Sequence, residues 1–170
     1  MTRATTTVAS LEVRGYAADG TAHRVCSCAS FEYAYASDGA GGARVELTPS
    51  DARAAFTRYV CALTPETFAE MRETQSLTLS SAMECAETCA RALRRATTES
   101  PETTLAVLAC EHSGRARLEI VEDGGHRLVS VLEMPFEHMD EREVRSRVAE
   151  EFGAMQARLA AYERRFGALE

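Results

Sequence analysis

Apolar and polar residues alternate through the first third of the chain, and a period of two predicts strands. In "SLEVRGYA" Leu11 and Val13 share a face. In "HRVCSCASFEYAYAS" Phe31, Tyr33 and Tyr35 line one side, with Glu32 and small residues on the other. "ARVELT" sets Val45 beside Leu47, and "AFTRYVCAL", Ala55 to Leu63, supplies a fourth run. "DGT" at Asp19 to Thr21 and "DGAGG" at Asp38 to Gly42 are tight-turn signals. Strands joined by such short turns pair antiparallel.

The period then changes. "TPETFAEMRETQ" puts Thr64 at a helix N-cap and Pro65 at the first helical position, with acids behind them. It predicts a helix from Pro65 to about Gln75 with Phe68 and Met71 on one side. "SLTLS" reads as a brief extended piece. "SAMECAETCARALRRATTES" is a second helix, with Met83, Ala86, Ala90 and Leu93 at helical spacing. Arg91, Arg94 and Arg95 sit near its C-terminal end, where the backbone dipole favours cations. Pro101 breaks the pattern. "TTLAVLACE", "RARLEIVE" and "RLVSVLEMPF" follow as three strands, the last two joined by a hairpin turn over Glu122 to His126. "DEREVRSRVAEEF" opens a last helix with Asp140, Glu141 and Glu143 in its first turn.

The expected fold is α+β: a small seven-stranded antiparallel β-barrel or sandwich, a helix pair between strands 4 and 5, and a C-terminal helix. Residues 1–8 read as a loose tail, 9–137 as the barrel with its helical insertion at 65–96, and 140–170 as the helix that begins a parallel coiled coil.

That helix carries a regular seam. With Phe152, Leu159 and Phe166 at heptad position a, Val148, Met155, Tyr162 and Leu169 fall at d. In a parallel pair Arg158 faces Glu163 and Arg165 faces Glu170, while Glu151 meets the neutral Gln156. Such exposed pairs contribute only about 0.3–0.5 kcal/mol each, so they orient the helices and the apolar seam supplies the affinity. Gly153 and Gly167 weaken the helix by about 1 kcal/mol each against alanine. The competing expectation is that the same face folds back on the barrel. The seam runs at full strength to Leu169 without a stop signal, which predicts a longer coil in a parent protein.

Composition adds exclusions. Net charge is −7, a poor basis for holding DNA through its phosphates. All 19 basic residues are arginine. No run approaches the eighteen apolar residues of a membrane-spanning helix. The start "MTRATTTVAS" lacks the apolar core of a secretory signal, so the 6 cysteines read as reduced thiols of a cytosolic protein. Cys26 with Cys28 and Cys85 with Cys89 each share a face, but the spacings are far from a zinc signature. Buried small side chains are their default role, and no metal or cofactor is expected. "CEHSG" at Cys110 to Gly114 gathers thiol, carboxylate and imidazole, the one candidate nucleophile cluster. No phosphate loop, serine-triad order or zinc-protease helix accompanies it, so no catalytic residue is assigned.

The order of elements resembles the head domain of the XRCC-four-like superfamily, whose members include DNA-end-joining scaffolds and the centriolar cartwheel protein, spindle-assembly-abnormal protein six. The cartwheel protein is the nearer likeness. "VELTPSDARAAFTRYVCALTPETFAEMRETQSLTL", Val45 to Leu79, is similar to its strand, strand and acid-aromatic helix, and "ARLEIVEDGGHRLVSVLEM", Ala116 to Met134, to the hairpin before its coil. The resemblance implies a non-enzymatic scaffold of centriole, basal body or flagellar base in the cytoplasmic cytoskeleton. It implies parallel dimers through the coil, and head pairing through a hairpin whose bulky apolar tip enters a pocket on the partner head, the alternation giving a ninefold ring. Carried over, the tip position falls at His126, after Gly124 and Gly125, with Leu128 as the available apolar substitute and Phe68, Met71 and Met83 as the expected pocket. Histidine is a departure, because it buries less apolar surface and costs more to desolvate, so head pairing should be weak. It points to the SAS-six-like relatives, which lack the long coil, whereas the terminal seam points back to the cartwheel protein.

Two other functions stay open: an end-joining scaffold head, and a head that binds microtubules or centriolar partners without self-assembly. For the latter, Arg91, Arg94, Arg95, Arg115 and Arg117 form the candidate basic patch.

Overall fold

The computed structural model describes residues 5–51 and 57–167, with the backbone alone over 22–28. Seven strands run in chain order: β1 (Thr5–Tyr16), β2 (Ala22–Ser37), β3 (Ala43–Pro49), β4 (Tyr59–Leu63), β5 (Thr104–Cys110), β6 (Arg115–Asp123) and β7 (Leu128–His138). Helices α1 (Pro65–Thr74) and α2 (Ala82–Arg94) lie between β4 and β5, and α2 runs on into one π turn, Arg95–Glu99. Helix α3 (Glu141–Gly167) ends the described chain.

The strands close a barrel in the order β1-β2-β3-β4-β7-β6-β5. Every consecutive hairpin pairs antiparallel, as the short turns require. The seam that closes the barrel differs from the antiparallel expectation. There β1 runs parallel to β5, with Val13 against Leu108. A parallel neighbour needs a long connection, which the intervening strands and helix pair provide.

The predicted alternation is what fills the interior. Leu11, Tyr33, Val45, Leu47, Leu63, Leu118, Ile120 and Met134 are all fully buried. Register places Tyr33 opposite Leu47 and Leu118 opposite both Leu108 and Met134. The continuous apolar run of β5 is buried on both faces, from Ala106 to Ala109.

Helix α2 seals this core, contacting β1, β2, β3 and β6. Its inner face is made of Cys85, Ala86, Cys89, Ala90 and Leu93. Small side chains let the helix come close enough for the Tyr33 hydroxyl to donate to the Ala86 carbonyl at 3.1 Å. Ser81 caps α2 by accepting from the Glu84 amide, and Thr64 caps α1 by accepting from Thr67.

Three boundaries differ from expectation. The loose tail predicted over 1–8 is strand from Thr5 onward. Thr5 to Val8 pair with β2, and Thr7 is buried. A run of β-branched residues suits a pleated, half-buried surface, which outweighs its polar look. Strand β4 begins at Tyr59; Ala55 and Phe56 of the predicted strand lie outside the described residues. "SLTLS" forms no strand: Ser76 takes a left-handed turn at φ 54°, and Leu77 and Leu79 pack against the core edge.

Candidate assembly surfaces

Helix α3 is built as its sequence predicts. Asp140 accepts from the Arg142 amide and its carbonyl from the Val144 amide, which fixes the start. Glu141 and Arg145 form an i,i+4 ion pair at 2.6 Å. Along the seam Phe152 is 59%, Met155 66%, Leu159 61%, Tyr162 56% and Phe166 69% exposed. Val148 is half-buried, and Leu169 and Glu170 lie outside the described residues. Five large apolar side chains therefore form one open stripe.

The β6–β7 hairpin is the second surface. Its tip is held by the Gly124 amide donating to the Arg127 carbonyl and the Gly125 amide donating to the Asp123 carboxylate. Gly125 needs its φ of +84°, and a Cβ on Gly124 would sit 3.1 Å from the Arg127 carbonyl oxygen. The turn thus favours glycine at 124 and 125, just before His126, where the resemblance places the bulky tip. His126 stands exposed, and Leu128, Val129 and Val131 are exposed along β7.

The expected acceptor residues do not line an open pocket. Phe68 and Met71 are 5% and 7% exposed and belong to the core, since they form the inward face of α1. Met83 packs partly buried against the same core. One open groove lies beside the hairpin base, with a volume of about 600 Å³. Leu77, Leu79, Ala92, Val131 and Leu132 form its apolar lining, and Arg91, Arg94, Arg95, Glu99 and Glu122 its charged rim. Gln75 helps shape this side. Its side-chain amide donates to the Glu133 carbonyl at 2.7 Å and accepts from the Glu133 amide at 2.8 Å. It occupies the edge of β7 that the short β4, paired only near Glu137 and His138, leaves bare. Sequence reasoning missed this groove; the signal was the pair Leu77 and Leu79 in a segment too short to make its own strand.

The five-arginine patch does not assemble. Arg95 pairs with Glu122 at one end of β6, whereas Arg115 opens the other end opposite Glu137. Seven residues of strand put about 20 Å between them. Arg117 pairs with Glu119 on its own strand.

The four described thiols are held protonated by their surroundings. Burial pushes Cys85 up to about 11, and Cys61 and Cys89 up to about 12. Cys110 is also raised by burial and shares a 3.4 Å hydrogen bond with the Tyr59 hydroxyl. A thiol held neutral in this way is a poor nucleophile, so the "CEHSG" cluster is not an activated site. Among the described residues no group of His, Cys, Asp and Glu could hold a metal, and the side chains of Cys26 and Cys28 are not described.

Comparisons agree with this architecture. No curated protein matches the chain by sequence. By structure, it is similar to an N-terminal fragment of Leishmania SAS-6 containing parts of its coiled coil domain, at TM-score 0.75 and 11% identity over 99% of this chain and 92% of that one. An N-terminal fragment of Drosophila melanogaster Sas-6, dimerised via its coiled-coil domain, matches at TM-score 0.68 and 17% identity over 93% and 76% of the two chains. The N-terminal coiled-coil dimer of C. elegans SAS-6 matches at TM-score 0.63 and 8% identity over 95% and 93%. At these identities the likeness fixes the fold. A sequence profile of the centriolar protein SAS N-terminal domain matches residues 27–136, well over half of the chain. The chain therefore belongs to the family of centriolar SAS N-terminal domains.

Proposed function

We propose that this chain is a non-enzymatic scaffold head that forms parallel homodimers through α3, within a centriolar or basal-body cartwheel or a related flagellar structure. The observation that carries the proposal is the open stripe of Phe152, Met155, Leu159, Tyr162 and Phe166. Full burial of such side chains contributes about 1.5–3 kcal/mol each, far more than the flanking Arg158–Glu163 pair. The dimeric Drosophila and C. elegans fragments support the same mode. The family match favours the centriolar reading over an end-joining head. A scaffold of this kind works by geometry, joining a compact barrel to a paired helix.

Head-to-head contact through Gly124, Gly125, His126 and Leu128 is proposed as weak. The tip from Gly124 to His126 has no apolar side chain, and Leu128, 66% exposed, is the large apolar group nearest it. His126→Glu is expected to leave the oligomeric mass unchanged.

Cysteine trapping tests the main proposal. In a parallel in-register pair, d positions meet their own copies. Tyr162→Cys is expected to give a disulfide-linked dimer under mild oxidation, with the unsubstituted chain as control. Monomer alone would refute parallel pairing.

A further inference from the structure

We propose that the cleft between the β1–β2 and β5–β6 turns binds a phosphorylated serine or threonine carried on a segment of a partner protein. The cleft lies at the end of β6 away from the β6–β7 hairpin, and the proposal depends neither on that hairpin nor on α3.

Both turns are fixed by their own hydrogen bonds. Across Ala17–Thr21 the Ala17 amide donates to the Thr21 carbonyl at 2.9 Å, and the Asp19 carboxylate accepts from the Thr21 amide and hydroxyl. Across Glu111–Gly114 the Glu111 amide donates to the Arg115 carbonyl at 2.8 Å, and Gly114 takes the φ of +81° that the turn needs. About 660 Å³ opens between the turns, within the range of ligand pockets. Four of its lining side chains can donate hydrogen bonds, Tyr16, His112, Ser113 and Arg117, against a single carboxylate, Glu111.

Strand register brings a second guanidinium to the same face. Arg14 lies opposite Ala109 on β5, and Ala109 lies opposite Arg117 on β6. Neighbouring strands are about 4.8 Å apart, so the two arginines stand about 10 Å apart across a buried alanine. Glu12 and Glu119 sit one outward position further from the turns, both opposite Val107, and each meets the Nε of its arginine. A guanidinium has five N–H donors, so one such contact leaves others for a ligand. Cys110 turns inward to Tyr59, which divides the "CEHSG" motif into a core thiol and an exposed donor loop.

A phosphate monoester suits this set better than a carboxylate. It offers three acceptor oxygens and close to two negative charges to donors that come from β1, β6 and the turn before β6. Ala17, Ala18 and Gly20 make one wall of small residues, which leaves room for the main chain that carries the phosphate.

Fluorescence anisotropy on the full chain tests this. The probe is a labelled peptide with one phosphoserine among alanines and glycines. Control peptides carry serine or glutamate in its place, and inorganic phosphate serves as a competitor. The phosphoserine probe is expected to bind at least about tenfold tighter than either control, and less tightly at high salt. Arg117→Ala and His112→Ala are each expected to weaken it by about tenfold with an unchanged thermal melt. Glu111→Gln is expected to tighten it by about threefold, and Arg142→Ala on α3 to leave it unchanged. Equal binding of the three peptides would overturn the proposal. So would equal losses from Arg117→Ala and Arg142→Ala, because diffuse charge would then hold the probe. Inorganic phosphate that competes as well as the unlabelled phosphopeptide would also overturn it, because a free anion would then be the ligand.

Discussion

Helices α2 and α3 are both amphipathic, yet their apolar faces meet opposite fates. The inner face of α2, Cys85 to Leu93, is at most 2% exposed. The seam of α3 is more than half exposed at every large position from Phe152 to Phe166. Size separates them. Alanine and cysteine let α2 seat closely on the barrel core, where Tyr33 reaches its backbone. Phenylalanine, methionine, leucine and tyrosine on α3 are long knobs suited to the holes of a second helix. One helix completes its packing within the head, and the other keeps its large apolar side chains exposed.

Phe152→Asp should disturb this contrast most. Two carboxylates buried at the paired seam cost several kcal/mol each, so dimers should be lost while the barrel melt stays put. Leu93→Ala should do the reverse. It removes a fully buried side chain from α2 at about 2–5 kcal/mol, lowering the thermal midpoint without changing the mass below it.

Alkaline titration sharpens the same division. Folded Cys61, Cys85 and Cys89 hold their protons to about 11–12, whereas unfolded thiols release them near 9. Their contribution is intact below that unfolded value and is lost as pH climbs toward 11–12. Denaturant melts of the head should lose up to about 1.4 kcal/mol per pH unit for each thiol in that window. Reaction with a thiol reagent near pH 8 should spare these three until the barrel unfolds. The smallest effect belongs to Gly153→Ala. A Cβ there meets nothing within 4 Å, so the helix gains about 1 kcal/mol per chain and the dimer tightens.

Local pattern carries much of this architecture. Alternation at Tyr33, Val45, Leu118 and Ile120 names the inward faces, since a strand gives every second residue to the core. The cap at Thr64 marks the start of the first helix, and the 3–4 spacing from Phe152 marks the seam. What local pattern hides is nonlocal. No residue of β1 announces a parallel neighbour in β5, because that pairing follows from closing the barrel. Phe68 and Met71 look equally fit for a core or a pocket until the register of α1 places them inward. The groove depends on Leu77, Ala92 and Val131, which come from three separate elements. Gly124 and Gly125 are legible as a turn, and the backbone geometry explains why glycine suits both positions.

Sedimentation equilibrium of the whole chain over a wide concentration range tests the central claim most directly. The exposed seam predicts a reversible shift from 18.5 kDa to twice that mass, with no further growth. A particle that stays at 18.5 kDa to the highest soluble concentration would contradict it.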